Sequence, residues 1–352
     1  MRTRIVSLVV VLLGTLALTP SVQAAAPCDT VAPDRWMSDH GIGSTSDDKH
    51  RLPSGRYALP ETAEPEHLVV MMHGWQNNSC SWRNHLRRVA GHGAVAVAMD
   101  YTGQDPVTNR GWHVSAGAKD SIVAAKRFLD LYPSIETVTV FAISMGANTA
   151  GLALADPDAV REDGSPLFDR LVAVEGVHNF TQLYAIAVAL KGSNASAAAF
   201  VTDAEAETGG ALHEVPERYL HLTNVVRAPE MAYLEGAVLV HGVDDGTVPG
   251  NQSREMTNAL RAVGVPAELH TVVGRGSGRP GTTFSSTFLG VPWSGTGMGA
   301  YPTAGHGWEG DPDHLVIKTG FERLFALLDG GAVEPYHEAI ELGLPPELGL
   351  GS

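Results

Sequence analysis

The segment Val138-Thr139-Val140-Phe141-Ala142-Ile143-Ser144-Met145-Gly146-Ala147 is a β-rich run that ends on a serine, with small residues two positions before and after it. Helix-compatible residues 147–154 follow. A strand–serine–helix turn of this kind is a nucleophile elbow. Its bend is so tight that the neighbouring chain would collide with anything larger than about a methyl, which accounts for Ala142 and Gly146. The hydroxyl is presented at the strand end. The Met145 amide, at the helix N-terminus, points to where a negative oxygen would develop. The chemistry such a turn can do is attack on an acyl carbon.

A serine hydroxyl is a weak nucleophile and needs a base, and the base needs an orienting carboxylate. With this kind of elbow the order along the chain is serine, acid, histidine. Val238-Leu239-Val240-His241-Gly242-Val243-Asp244-Asp245-Gly246-Thr247-Val248-Pro249 supplies the acid after a strand. Asp245, three residues after Gly242 and four before Pro249, is preferred to its neighbour Asp244. Gly305-His306-Gly307-Trp308 lies after the last expected strand and before the last expected helix, where the base belongs. The rival His314 falls at or inside that helix's first turn. A second oxyanion donor is expected from Val69-Val70-Met71-Met72-His73-Gly74-Trp75, where a strand runs into a turn that exposes the Trp75 amide. His73 reads as a structural support for that turn, and His241 as a buried, hydrogen-bonded strand residue. Trp293 and Trp308, with Trp75, are candidates to line an apolar substrate pocket, the alternative being ordinary core packing. No His-Glu-x-x-His or comparable spacing occurs, so no metal and no cofactor are expected.

The elements that must position these residues follow from the hydrophobic pattern. Continuous apolar runs at 67–72, 94–99, 137–143, 171–174, 237–241 and 268–273 read as strands covered on both faces. Stripes through Ile122, Ala125, Leu129 and Tyr132, through Met256, Leu260 and Val263, and through Ile317, Phe321, Leu324 and Leu328 read as helices between them. The expectation is an α/β fold with a doubly wound, mostly parallel sheet, whose sites lie at the carboxyl ends of the strands. Two segments break the alternation. Residues 180–236 read as a cap or lid insertion, or else a long crossover, with an acid-rich run at 203–207 expected to be a solvated face. Residues 275–300, rich in Gly, Ser and Thr, read as a long loop serving the site, and 330–352 as a weakly ordered C-terminal tail.

Composition narrows the setting. A formal net charge of −15 without a basic cluster argues against nucleic acid as a partner. A hydrophobic fraction of 44% with 18% charged residues argues against disorder and against a coiled coil. Residues 1–24 carry a positive start (Arg2, Arg4), an apolar stretch too short to span a bilayer, and the small-x-small site Val22-Gln23-Ala24. They read as a secretion signal, so the expected product is exported and has no stable membrane anchor. In an oxidising compartment Cys28 and Cys80 are expected to pair, tying segment 25–65 to the body of the chain. By the loop-entropy model such a bridge contributes roughly 4 kcal/mol. Oligomeric state is left open.

The His73-Gly74-Trp75 turn, the Ser144 elbow, the Asp245 turn and the Gly305-His306 turn, in that order, resemble the α/β-hydrolase superfamily of serine esterases, lipases and peptidases, over residues 66–329. Some secreted bacterial lipases of that family also carry Ala at the position of Ala142. The resemblance implies a carboxylic ester hydrolase working through Ser144, His306 and Asp245 with an acyl-enzyme intermediate, the Trp75 and Met145 amides forming the oxyanion hole. Its implied substrates are small-molecule, lipid or polymer esters. Alternatives are a peptidase of the prolyl-oligopeptidase type, which shares the Ser-Met-Gly elbow, an acyltransferase, or an inactive binding module. The long 275–300 segment departs from the family's usual length, and 180–236 matches no known cap.

Overall fold

The computed structural model describes residues 55–105, 108–243, 245–273, 283–288, 291–296, 306–310, 312 and 314–342, with the side chains of 283–288, 291–296 and 342 left out. The expected signal at 1–24, Cys28, Asp244 and the end of the tail lie outside the described residues. Among the described residues, no helix is long and apolar enough to cross a membrane.

The order of elements is β1 (Gly55–Ala58), β2 (His67–Met72), α1 (Arg83–Gly91), β3 (Val95–Met99), α2 (Val114–Leu131), β4 (Thr137–Ile143) and α3 (Met145–Leu154). Then come β5 (Arg170–Val174), α4 (Phe180–Leu190), α5 (Ala195–Thr208), α6 (Pro216–His221), α7 (Asn224–Arg227), β6 (Gly236–Gly242), α8 (Asn251–Ala262) and β7 (Ala267–Val273). The chain continues through β8 (Thr283–Phe288), β9 (Val291–Thr296), α9 (Leu315–Leu328) and β10 (Glu338–Leu342). Eight strands form one sheet in the order β1-β3-β2-β4-β5-β6-β7-β10. β1 runs antiparallel to β3, and every other pairing in the sheet is parallel.

The apolar runs form inner strands because both of their faces are covered. In β2, Leu68, Val70 and Met72 enter the core beneath α2 and α3, whereas Val69 and Met71 enter the one beneath α1 and α9. That is the two-residue alternation of a strand with no polar face. On the second face Phe321 of α9 stacks on Phe141 of β4, centroids 4.3 Å apart, and on the His85 ring at 4.1 Å. α9 comes close enough to β5 that a Cβ at Gly320 would lie 2.6 Å from Val174 Cγ2. Only glycine permits that approach, and it brings the turn before α9 against the end of β5.

Three segments differ from the sequence expectation. The 330–352 tail is corrected in part: Glu338–Leu342 is the edge strand β10, in parallel register with β7. Buried Glu268 holds it, accepting two hydrogen bonds from the Arg323 guanidinium and one from the Glu334 amide. The expected 275–300 loop contains the antiparallel hairpin β8–β9. The insertion at 180–236 is helical throughout its longer pieces. Asn179 and Asn194 cap α4 and α5 by accepting the Gln182 and Ala197 amides, and Gly209 closes α5 in the left-handed region at φ 78°. The insertion packs into the same core as α2 and α3 through Trp112, Phe180, Phe200 and Tyr219.

Candidate active site

Ser144 is the residue between β4 and α3, with φ 53° and ψ −121°. A serine in that left-handed region is strained, and the surroundings hold it there. Its amide donates to Val174 O at 3.0 Å, and its carbonyl accepts the Ala147 and Val177 amides. A Cβ at Gly146 would overlap the Met72 carbonyl, so the elbow rests directly on the end of β2. Ala142 is fully buried on the other side of the bend. Ser144 itself is half-buried, and its Oγ makes no hydrogen bond with a described residue.

β5 lies next to β4 and β6 next to β5, all parallel, so their carboxyl ends share one rim of the sheet. Asp245, in the turn after β6, accepts the Thr247 and Val248 amides on Oδ1, at 2.7 and 3.0 Å. Its Oδ2 lies 2.7 Å from His306 Nδ1. Burial opposes ionisation of Asp245, but the His306 and His241 imidazoles outweigh it and hold the carboxyl well below its ordinary range. For His306 burial works against the charged form, while the Asp245 and Glu175 carboxylates push it up to about 9. His306 Nδ1 is thus committed to a carboxylate, which leaves Nε2 as the edge for a reacting hydroxyl.

The loop after β2 supplies the opposite wall. Gly74 lies so close to the elbow that a Cβ on it would stand 3.4 Å from Ser144 Cβ. Neither the Trp75 amide nor the Met145 amide donates to a described residue, so both remain available as donors. His73 is buried with Nδ1 2.9 Å from Gly74 O, and its ring stacks on Tyr101 at 4.0 Å. Burial lowers it to about 4, so it is a neutral support of the loop, as its place in the sequence suggests. His241 is also buried, with Nδ1 2.8 Å from Ser253 Oγ and Nε2 2.9 Å from Val248 O. The rival His314 is buried at the N-cap of α9.

The indoles of Trp75 and Trp308 are both engaged by hydrogen bonds. Trp75 Nε1 donates to Asp203 of α5 at 2.8 Å, and its ring meets Phe200 edge-on at 6.3 Å. Trp308 Nε1 donates to Asn77 Oδ1 at 3.1 Å. The side chain of Trp293, on β9, lies outside the description. The acid-rich run at 203–207 is corrected from a solvated face. Besides Asp203, Glu205 accepts the Tyr184 hydroxyl at 2.6 Å and Glu207 the Ser115 amide at 2.9 Å.

Two buried carboxyls were not anticipated. Glu175, the residue after β5, accepts the Gly242 amide at 3.2 Å and also the Gly307 amide, and its Oε2 lies 3.4 Å from His306 Nδ1. Glu309 accepts the Gly74 amide and, at 2.8 Å, Asn77 Nδ2. Burial pushes Glu309 up to about 7 and raises Glu175 in the same direction, the Asp245 carboxylate adding to the latter. A charged residue closing an apolar strand in Leu171-Val172-Ala173-Val174-Glu175-Gly176 was a readable signal for Glu175; Glu309 has no local one. Glu175, Asp245 and His306 bring their ligand atoms within 4.8 Å of one another. Main-chain amides and the His306 imidazole tie both carboxyls into one hydrogen-bonded network.

No protein-family model matches the chain, and no curated protein matches it. Solved structures do. An acylaminoacyl peptidase bound to a chloromethyl ketone matches with a TM-score of 0.53 and 16% identity, over 81% of this chain and 40% of that one. A puromycin hydrolase matches with 0.53 and 16%, over 85% and 39%. The acetyl ester-xyloside bifunctional hydrolase of Caldicellulosiruptor lactoaceticus matches with 0.53 and 15%, over 86% of this chain and 98% of that one.

The chain has the α/β-hydrolase fold.

It spans about two fifths of the first two structures and nearly all of the third. Within the α/β-hydrolase fold, Ser144 stands after β4 and Asp245 after β6, whereas His306 lies between β9 and α9, with the hairpin β8–β9 separating it from the strand at 268–273 after which the sequence reading put it.

Proposed function

We propose that this chain is an exported serine hydrolase that cleaves carboxylic ester bonds. The observation that carries the reading is the His306 Nδ1–Asp245 Oδ2 contact of 2.7 Å, at the rim that holds the strained Ser144. In this mechanism Ser144 Oγ attacks the ester carbonyl carbon while His306 Nε2 takes its proton. The oxygen that becomes negative accepts hydrogen bonds from the Trp75 and Met145 amides. Collapse expels the alcohol, which leaves with the proton held by His306. Water, giving its proton to His306, then attacks the acyl carbon, and Ser144 departs with that proton. Asp245 keeps the imidazole in the right tautomer and balances its transient charge. The serine–imidazole hydrogen bond forms as substrate closes the site, since such bonds are often loose before binding.

Acyl and alcohol choice falls to the walls of the site. Phe200 and Asp203 of α5 hold the Trp75 indole, so the helical insertion stands as a cap beside the oxyanion loop. The full-length match to the acetyl ester-xyloside bifunctional hydrolase favours an ester. A peptidase is the second reading, favoured by the equal TM-score of the acylaminoacyl peptidase. Initial rates on p-nitrophenyl esters of short and long acyl chains and on aminoacyl and dipeptidyl p-nitroanilides, for wild type and Ser144→Ala, separate the two. Ester turnover lost in Ser144→Ala is expected. Faster anilide turnover would favour the peptidase, and wild type inert on both series would leave a binding module.

A further inference from the structure

Glu175 occupies a conformation that a glutamate does not adopt without cause. Its φ is 47°, in the left-handed region, and its side chain is wholly buried. Such backbone strain is unfavourable, and burying a carboxyl adds to its cost. The main chain is pinned by the Glu175 amide donating to Val240 O at 2.7 Å. The bend turns the carboxyl back along the sheet rim, where each oxygen has a separate task. Oε1 accepts the Gly242 amide at the end of β6, and Oε2 accepts the Gly307 amide next to the base. The same Oε2 lies 3.4 Å from His306 Nδ1, which is already 2.7 Å from Asp245 Oδ2. One imidazole edge therefore faces two carboxyls.

We propose that Glu175 is a second carboxyl of the acid–imidazole pair, a positioning residue that holds the His306 turn through the Gly307 amide and sets the pH at which the imidazole becomes free to accept a proton. The inference rests on the serine-hydrolase reading of Ser144, His306 and Asp245. Two carboxylates this close to one imidazole favour its charged form, and an imidazolium cannot take the proton of a serine hydroxyl. With Glu175 protonated and Asp245 ionised, His306 faces a single negative charge and can serve as the base. The other groups that face this cluster are His241 on β6, beside Asp245; Glu309, which acts on His306 from the turn before α9; and His178, which faces His241. From α9 itself the neighbours at Gly307 are the apolar Val316 and Ile317. Asp245 has the shorter contact, and both of its amide donors fall on Oδ1, which leaves Oδ2 to the imidazole, so Glu175 tunes the pair as long as Asp245 is present.

The experiment is the pH profile of kcat/KM on a p-nitrophenyl ester for wild type, Glu175→Gln, Asp245→Asn and Ser144→Ala. Glu175→Gln is expected to move the acid limb to lower pH by about one unit, because the carboxylate that favoured the imidazolium is gone. A limb that stays in place, in a variant that folds, overturns the proposal. Should Glu175→Gln not fold, Asp245→Asn decides. Loss of the acid at a triad of this kind typically costs about 10⁴-fold. With Glu175 beside the base, the deficit is expected to shrink at least tenfold between pH 6 and 9 as that carboxyl ionises, and a constant deficit overturns the idea. Ser144→Ala separates the two failures. Ester turnover that survives in it sinks the serine-hydrolase reading, whereas turnover lost with unmoved profiles sinks only the role of Glu175.

Discussion

Glu309 accepts the Gly74 amide with one carboxyl oxygen and the Asn77 side chain with the other, so the turn that carries His306 is bound to the loop that carries Trp75. Trp308 repeats the link by donating to Asn77. Base and oxyanion donor come from segments more than two hundred residues apart, and this clasp fixes the distance between them.

Glu309→Gln tests the clasp. A glutamine offers one carbonyl where two donors need acceptors, so the Gly74 amide or the Asn77 amide loses its partner. Leaving a buried donor unmatched costs about 1–3 kcal/mol. Urea unfolding should show that loss, with kcat reduced more than KM is changed. An unaltered midpoint together with unaltered kcat would mean that the two loops hold their spacing by other contacts.

The elbow makes a purely steric prediction. A Cβ at position 146 would overlap the Met72 carbonyl and lie 2.8 Å from His73 O, backbone atoms that cannot swing aside. Overpacking of this kind typically costs about 1–3 kcal/mol. Gly146→Ala should therefore lower the melting temperature and displace Ser144 enough to remove most ester turnover. A variant with wild-type melting and turnover would mean that the close packing of the elbow on β2 is not as described.

Stability should bend sharply in acid. His73, His85 and His178 are buried, and burial lowers them from 6.5 to about 4, about 3 and about 3. Unfolded, they bind protons from about pH 6.5 downward, so their contribution is complete above that pH and is lost as pH falls towards 3. Glu175 and Glu309 are raised from 4.5, Glu309 to about 7. Their contribution is complete below 4.5 and is lost as pH rises through about 7. Between pH 6.5 and 4.5 the two sets oppose each other. Below 4.5 the histidines lose stability at up to about 1.4 kcal/mol each per pH unit, and the lowered carboxyls of Asp245 and Glu268 add to the loss with the same sign. Urea midpoints followed from pH 8 to 3.5 should change little down to about 4.5 and then fall steeply, and a flat profile below 4.5 would contradict the buried, neutral histidines.

The expected pairing of Cys28 with Cys80 is open to a direct measurement. Cys80 is buried in the turn before α1, where Asn78 accepts its amide, and Cys28 lies outside the described residues. Reductant should lower the melting temperature of the oxidised protein, the bridge being worth roughly 4 kcal/mol by loop entropy. Intact mass before and after alkylation then counts thiols. Two alkylated cysteines in the unreduced protein would exclude the bond.

Legibility differed with how local the signal was. Strands β2 and β4 coincide with apolar runs read from the sequence, because a strand covered on both faces must be apolar at every position. Ser144 was legible because its bend forbids bulk on both sides within a few residues. β10 was not, since Glu-Ala-Ile-Glu-Leu is an edge strand that takes its stability from β7 and from the Arg323–Glu268 pair, which lies earlier in the chain. The acidic run of α5 was misread for a similar reason: its partners Trp75, Tyr184 and Ser115 are remote in sequence.

The amino-acid order by itself determined the apolar runs of the inner strands and the small-residue turn around Ser144, because each depends on neighbours within about ten residues. Only the tertiary structure decided that His306 faces two carboxyls and that Glu309 joins the oxyanion loop to the base. A buried carboxyl is tolerated only where distant amides and imidazoles converge on it, and that convergence arises from the sheet order and from the close approach of α9 to β5.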